Sequence, residues 1–79
     1  MHSYLAIFFT HSGAIKFQRK LVKSGLLCQL LPVPRSLSSN CGIGARFEAM
    51  DYEDLIDDDI EKMFLVDDDI YILKYEVMD

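Results

Sequence analysis

Two prolines, Pro32 and Pro34, constrain the fold of this chain more strongly than any other feature. They end the apolar segment LLCQLLPVP, residues 26–34, whose composition predicts a β-strand. Because proline has no backbone N–H to donate to a strand ladder, this strand must end at the prolines or lie at the edge of a sheet. The polar loop RSLSSNCG, residues 35–42, follows it.

The segments before the prolines predict one strand and one helix. The continuous apolar run YLAIFFT, residues 4–10, is rich in aromatic and β-branched side chains and predicts a central strand buried on both faces. In the next segment, residues 11–25, apolar side chains recur at helical spacing, which predicts an amphipathic helix with a basic outer face. Ser12 is predicted to cap its N-terminus and Gly25 its C-terminus.

The second half of the chain predicts a strand, a second helix and a final strand. Residues 43–49 alternate apolar and polar side chains, which predicts a third strand. Asp51 is predicted to cap a second helix, with the three aspartates at 67–69 as the turn after it and residues 70–78 as the final strand. The apolar stripe predicted for this second helix comprises Leu55, Ile56, Ile60, Met63 and Phe64.

The element order βαββαβ predicts an α+β fold, the ferredoxin-like two-layer sandwich, in which two helices cover one face of a four-stranded antiparallel sheet. The usual strand order of that fold, 4-1-3-2, puts the second strand at an edge, which is where Pro32 and Pro34 require it. Because 79 residues are enough for one small core, we expect residues 1–79 to form a single domain.

Acidic and basic side chains are segregated along the chain. Six of the eight basic residues precede Glu48, the first acidic residue, and all 13 acidic residues follow with only Lys62 and Lys74 among them. We expect the basic first helix and the acidic second helix to face each other; a docking face for a charged partner is the alternative. The abundant acid argues against binding to nucleic acid.

No segment resembles a signal peptide, and the apolar run at residues 4–9 is shorter than the roughly 20 residues that a membrane-spanning helix needs. We therefore expect a cytoplasmic protein with reduced thiols and no membrane contact. Two cysteines are too few for a disulfide framework or a zinc site, although a Cys28–Cys41 bridge is an alternative. The clustered aspartates lack the spacing of a calcium-binding loop, so we expect neither a metal nor a cofactor.

Two stretches, FFTHSGAIKFQRKL and GLLCQLLPVPRSLSSNCGIGARF, resemble those of the putative selenium/sulfur (Se/S) carrier protein-like family, a bacterial group. In that family a strand and a helix lead into a Pro-Val-Pro-Arg segment, a serine-rich turn and a Cys-Gly pair. The resemblance spans residues 4–77 and is most specific over residues 32–46. The heavily acidic second half departs from the family's pattern.

The resemblance implies that Cys41 is the carrier thiol, and that its loop is shaped by Arg35, Ser38, Ser39 and Gly42. It implies a carrier rather than an enzyme, which takes sulfur or selenium from a donor protein as a persulfide or selenopersulfide and hands it to an acceptor protein. The alternative is a non-catalytic ferredoxin-like interaction module, or a homodimer, whose edge strand or charged helices bind a partner and whose cysteine is incidental. A thiol redox sensor is a third reading.

The residues themselves also give a physical case for a reactive Cys41. The thiolate is the nucleophile, and helix N-termini and nearby cations favour it. In the expected topology the first two strands are parallel, so the loop lies where the first helix starts, with His11, Arg35 or Arg46 within reach. We therefore predict a modestly lowered pKa for the Cys41 thiol. Asp67–Asp69, expected to begin the last strand at the same end, would oppose this.

Neighbouring residues bear on the same chemistry. Gly42 and Gly44 would allow unusual φ angles that expose backbone N–H groups to an anionic sulfur. His11 would either orient or protonate the Cys41 sulfur or merely occupy the helix start, and Cys41 itself would otherwise be a bystander in a surface turn. Cys28, in an apolar strand, is predicted to be a buried structural cysteine. No residue is evidently placed to orient His11, which argues against a papain-like hydrolase.

Overall fold

The computed structural model describes residues 1–37 and 42–77. They form five strands, one α-helix and one short 3₁₀ turn. In chain order these are β1 (His2–Phe8), α1 (His11–Lys23), β2 (Cys28–Pro32), β3 (Ile43–Ala49), the 3₁₀ turn (Glu53–Leu55), β4 (Ile60–Asp67) and β5 (Ile70–Glu76).

The strands form one sheet in the order β2-β3-β1-β4-β5, and every neighbouring pair is antiparallel. Because β1 and β2 are both antiparallel to β3, they run parallel to each other with β3 between them. β2 lies at one edge, as its prolines predict, and β5 lies at the other. The C-terminal ends of β1 and β2 therefore lie at the same end of the sheet.

α1 packs its apolar side against the sheet, as its spacing predicts. Its N-cap is Thr10 rather than the predicted Ser12, because Thr10 is extended and its Oγ1 accepts a hydrogen bond of 3.0 Å from the backbone N–H of Gly13. Gly25 follows the helix with a φ of 84° and closes it, as predicted. Among the described residues, no helix has the length and apolar character needed to cross a membrane.

The predicted ferredoxin-like sandwich, with two helices on a four-stranded sheet, is wrong. In place of the helix predicted after Asp51, residues 53–55 form the 3₁₀ turn and residues 60–67 form β4. The strand predicted at 70–78 is β5, and the turn predicted at 67–69 joins it to β4. The described residues therefore fold as a β-rich, five-stranded sheet with one helix.

A β-bulge explains why the residues of β4 imitate a helix. The pairing register between β1 and β4 shifts at the start of β4. The shift lets Ile60 and Met63, three residues apart, enter the same core cluster beside α1, and Phe64 joins a second cluster. The apolar pattern taken for a helical stripe therefore belongs to a bulged strand that is buried on both faces.

Residues 50–59 cover the part of the sheet where the second helix was expected. The ring of Tyr52 lies 5.5 Å from that of Tyr4, and its hydroxyl donates a hydrogen bond of 3.3 Å to the carbonyl oxygen of Lys74 in β5. Leu55 and Ile56 pack against the same core. α1 itself contacts β1, β2 and β3, so the helix and residues 50–59 share one face of the sheet.

The main core lies between the sheet and α1, and Phe17 joins its parts. The Phe17 ring lies 5.2 Å from the ring of Phe8 in β1 and 5.4 Å from that of Phe47 in β3. These three rings therefore tie the helix to two adjacent strands. The buried residues of this core are Tyr4, Ala6, Phe8, Ala14, Phe17, Leu21, Ala45, Phe47, Ala49, Ile60 and Met63.

A second, smaller apolar cluster lies on the face of the sheet away from α1. Leu5, Ile7 and Phe64 are buried there. Val33 and Leu37, from the segment that follows β2, pack against them. The beginning of the loop after β2 therefore lies on this second cluster.

Gly44 in β3 lies in close contact with the segment that follows β2. A Cβ at this position would lie 2.9 Å from Val33 Cγ1 and 3.0 Å from the carbonyl oxygen of Ala6. Because a strand carbonyl cannot move aside, we expect Gly44→Ala to lower the free energy of unfolding by about 1–3 kcal/mol, measured by urea denaturation. Gly25→Ala is the control: its Cβ would meet no atom, so only the cost of its positive φ, about 1 kcal/mol, is expected. A smaller loss at Gly44 than at Gly25 would contradict this account.

Ion pairs connect the basic and acidic halves of the chain. Lys16 Nζ lies 3.3 Å from the carboxylate of Asp59, and Lys20 Nζ lies 3.5 Å from that of Asp57. The basic helix α1 therefore faces acidic residues, but the acidic second helix predicted to face it is absent from the described residues. The acidic residues that pair with α1 lie in the segment before β4.

Candidate functional site

The loop after β2 is held by backbone contacts near both of its ends. The N–H of Val33 donates a hydrogen bond of 2.9 Å to the carbonyl oxygen of Gly42, which extends the pairing of β2 with β3. The N–H of Leu37 donates a hydrogen bond of 3.0 Å to the carbonyl oxygen of Pro34, which closes a turn. The two flanks of the loop are therefore bonded to each other, and the flank after β2 also forms a turn of its own.

Half of the predicted site residues can be placed. Arg35 is exposed in the turn that starts at Pro34. Gly42 has a φ of 70°, a left-handed conformation that favours glycine, as predicted. Gly44 does not have a positive φ; its position requires a glycine because neighbouring atoms leave no room for a side chain. Three predicted residues lie outside the described ones, and their roles stay predictions: Ser38, Ser39 and Cys41.

The described flanks of the loop lie at the end of the sheet where α1 begins. Gly44, two residues after Gly42, pairs with Ile7 near the C-terminal end of β1. Thr10 then caps α1, and His11 is its exposed first residue. The flanks and the start of α1 therefore share one end of the sheet, but Val33 and Leu37 pack on the face away from α1. The closeness of Cys41 to the helix N-terminus stays a prediction.

The first turn of α1 contains no acidic residue of its own, but the side chain of Asp59 lies against it: a Cβ at Gly13 would be 2.7 Å from Asp59 Cβ. The carboxylate of Asp59 therefore offsets part of the positive dipole end of α1.

The aspartates predicted to oppose a thiolate at this end lie elsewhere. β4 is antiparallel to β1, so it runs away from this end, and Asp67–Asp69 turn at the far end of the sheet. The prediction is wrong because residues 60–67 are a strand and not a helix. The nearby acids are Asp57 and Asp59, both paired with lysines of α1. In the part of the chain that the structure describes, no cluster of acidic, histidine and cysteine side chains could hold a metal ion.

A buried ion pair at the start of β4 was missed from the sequence. Glu61 is 4% exposed, and Lys62 Nζ lies 3.6 Å from its carboxylate and 3.8 Å from that of Glu76. A buried carboxylate needs a cation or hydrogen-bond donors to offset its lost hydration. The sequence signal is an adjacent Glu-Lys pair between the apolar residues Ile60 and Met63.

Cys28 lies at the other end of β2 from this loop. It is a free, half-buried cysteine that packs against the main core, and its carbonyl oxygen accepts a hydrogen bond of 3.1 Å from Gln18 Nε2. Burial raises the pKa of the Cys28 thiol to about 11. The thiol is therefore protonated at neutral pH, in agreement with the structural role predicted for it.

An open groove of about 560 Å³ lies beside Cys28, far from the flanks of the loop. Arg46, predicted to lie within reach of Cys41, lines this groove and pairs with Leu5 in the middle of β1. The structure therefore does not bring Arg46 to the described flanks. Arg35 and His11 are the predicted cationic or titratable residues that lie at the loop's end of the sheet.

The thiol of Cys28 offers a direct test of its environment. In a Cys41→Ser variant, we expect the pH profile of Cys28 alkylation to have its midpoint at about 11. The pKa of the folded protein's Cys28 is above the value of about 8.5 for an unfolded cysteine, because burial disfavours the thiolate. The contribution of this thiol to stability is therefore complete below about pH 8.5 and is lost as the pH rises towards 11. A midpoint close to that of an exposed cysteine would contradict the burial.

Comparison with known proteins gives one family. Residues 3–71, most of the chain, match the model of the family described as "Putative Se/S carrier protein-like". No curated protein and no solved structure matches the chain.

Proposed function

Because this chain belongs to the Putative Se/S carrier protein-like family, we propose that it carries sulfur or selenium as a persulfide or selenopersulfide on Cys41. The observation that carries the proposal is the family match, whose span of residues 3–71 includes the Pro-Val-Pro-Arg segment and the Cys-Gly pair. A carrier of this kind turns nothing over alone. We therefore propose a carrier domain over residues 1–79 and not an enzyme.

The proposed transfer balances without an added oxidant or reductant. The Cys41 thiolate attacks the terminal sulfur of a persulfide on the donor protein; a new S–S bond forms and the donor's S–S bond breaks. The donor cysteine leaves as a thiolate and takes up the proton that Cys41 lost. Selenium moves in the same way when it is the terminal atom of the donor, and a nucleophile on the acceptor then repeats the attack on the loaded Cys41.

Features of the described residues support a held and reactive loop. The hydrogen bond between Val33 and Gly42 ties its two sides together. The N-terminus of α1 lies at the same end of the sheet, where the helix dipole favours an anion, and His11 there is the proposed assisting group. We propose that the loop is shaped by Arg35, Ser38, Ser39 and Gly42.

The chemistry defines the partners. The donor is a protein that bears a persulfide or selenopersulfide, and the acceptor is a protein with a nucleophile that takes the terminal atom. The transfer needs no bound cofactor, because the cargo is held covalently on the cysteine. Since the thiol must stay reduced between transfers, we propose the cytoplasm as its compartment.

The test is intact mass under non-reducing conditions, before and after incubation with a cysteine desulfurase and cysteine. We expect the wild type to gain one reducible sulfur and Cys41→Ser to gain none. Cys28→Ser is the matched control, because it makes the same substitution at the other cysteine, whose thiol is protonated at neutral pH. This variant is expected to load as the wild type does.

Two outcomes would overturn the proposal. A sulfur that is lost with Cys28→Ser and kept with Cys41→Ser would assign the cargo to the other cysteine. No adduct on any form, from a sulfur donor or a selenium donor, would favour the interaction module instead. The observation that favours that second function is the exposed edge strand β5.

A further inference from the structure

β5 is exposed and apolar at the edge of the sheet. It follows β4 as the last strand in the sheet order, and within the described chain no strand pairs with its outer side. Ile70 is 63% exposed and Leu73 is 47% exposed, although both are large apolar side chains. The exposed apolar residues of this surface, here called the β5 edge, are Ile70, Tyr71, Ile72, Leu73 and Val77.

The β5 edge is open because the covering elements lie elsewhere. α1 contacts β1, β2 and β3, and the segment 33–37 packs on the second cluster around Leu5 and Ile7. From residues 50–59, the hydroxyl of Tyr52 donates a hydrogen bond to the carbonyl oxygen of Lys74 in β5. The outer edge of β5 is therefore open and its apolar side chains from Ile70 to Leu73 are exposed, whereas its inner edge pairs with β4 and Tyr75 packs against the main core.

The two edges of the sheet differ in their ability to accept another strand. β2 ends at Pro32, and Pro34 follows, so two backbone donors are missing along that edge. β5 contains no proline, and Lys74 and Glu76 are its charged residues. One edge is therefore protected against pairing with a further strand and the other is not.

We propose that β5 pairs with β5 of a second copy of this chain, antiparallel about a two-fold axis, so that two five-stranded sheets join into one of ten strands. A head-to-tail contact between copies would require β2 to accept β5, and the prolines of β2 oppose it. When β5 of one copy pairs with β5 of another, each copy contributes the same surface. No β5 edge is then left to bind a third copy, so the assembly stops at a dimer and does not extend into a fibre.

The charges in and around β5 also favour a second copy of the chain as the partner and the antiparallel orientation. The chain carries a net charge of −5, but Lys74 and Glu76 make β5 itself neutral, so two copies can approach here without strong repulsion. Asp67–Asp69 lie just before the strand at one end of it. Antiparallel pairing keeps the two acidic turns at opposite ends of the interface, whereas parallel pairing would put them side by side.

The dimer is independent of the proposed carrier function. Gly42 and Val33 belong to the β2–β3 side of the sheet, and three strands, β3, β1 and β4, separate β2 from β5. The loop therefore stays outside the interface. We expect a variant that breaks the dimer to accept sulfur as the wild type does, so either proposal can fail without the other.

Sedimentation equilibrium of the purified chain over a wide concentration range tests the dimer. The wild type is expected to show a monomer–dimer equilibrium, and Leu73→Lys to raise its dissociation constant at least about tenfold by placing a charge in the interface. Ile70→Lys, at a more exposed position, is the second variant if Leu73→Lys does not fold, as judged by circular dichroism.

Leu27→Lys is the matched control, because Leu27 is 89% exposed and precedes β2 at the other edge. It is expected to leave the dissociation constant unchanged. A monomeric wild type at every concentration would overturn the proposal. A dimer that survives in folded Leu73→Lys or Ile70→Lys, or that is broken by Leu27→Lys, would overturn it as well.

Discussion

Phe17→Ala is expected to lower the free energy of unfolding by about 3–5 kcal/mol, the largest effect on stability that we predict for a single substitution. Phe17 is 1% exposed, and its ring contacts those of Phe8 and Phe47. Truncation would leave a cavity between α1 and two strands that are already fixed by sheet pairing and cannot collapse onto it. Urea denaturation monitored by circular dichroism measures the loss.

Ile15→Ala is the control for this experiment. Ile15 lies on the same helix but is exposed, so its truncation to alanine should lower the free energy of unfolding by well under about 1 kcal/mol. If Phe17→Ala were as mild as Ile15→Ala, α1 would not be packed on the sheet in the way described.

Val33→Asp is expected to cost about 2–3 kcal/mol and to reduce sulfur loading of the chain. The Val33 side chain packs on the second cluster and lies directly over Gly44, and its backbone bonds to Gly42. A carboxylate at this position would lose its hydration against the apolar side chains of the second cluster, such as Leu5. The loop would then lose the anchor on its β2 side, which the proposed carrier site needs.

Leu27→Asp is the matched control for Val33→Asp. Leu27 precedes β2 and is almost fully exposed, so the same new charge should change neither stability nor loading by a measurable amount. Urea denaturation and the mass assay are read on both variants. Full loading of Val33→Asp would contradict the view that this anchor positions the reactive loop.

Much of the fold follows from local patterns in the sequence. Three patterns predict β1, α1 and β3: the short apolar run at 4–10, the helical spacing at 11–25 and the alternation at 43–49. Each is a local pattern that favours one type of element. The prolines predict the edge position of β2, since missing donors cannot be tolerated between two strands.

β4 could not be predicted because two local signals, a capping residue and apolar side chains at helical spacing, both indicated a helix. Asp51 Oδ1 accepts hydrogen bonds from the N–H groups of Tyr52 and Glu53, but only a 3₁₀ turn follows. The N-cap of this turn is Tyr52, whose side chain makes no capping hydrogen bond. The bulge then spaces Ile60 and Met63 as a helix would. Long-range pairing with β1 decides the outcome, and no local pattern reports it.

The topology expected from the sequence was right for the strands that carry the flanks of the loop and wrong for β4. Parallel β1 and β2 bring the start of α1 and the flanks of the loop to one end, as expected. The electrostatic surroundings were wrong, because the direction of β4 moves Asp67–Asp69 away and brings Glu61 in. The role of Cys41 stays a prediction.

The central claim of this account is that Cys41 holds a sulfur or selenium atom that another molecule can take. The most direct test loads the chain with isotopically labelled sulfur, removes the donor, and adds cyanide, which accepts a terminal sulfur to form thiocyanate and returns the cysteine thiolate. We predict that the wild type and Cys28→Ser release one labelled sulfur per chain and return to their original mass, and that Cys41→Ser releases none. Labelled thiocyanate from Cys41→Ser in the same amount, or its absence from the wild type, would contradict the claim.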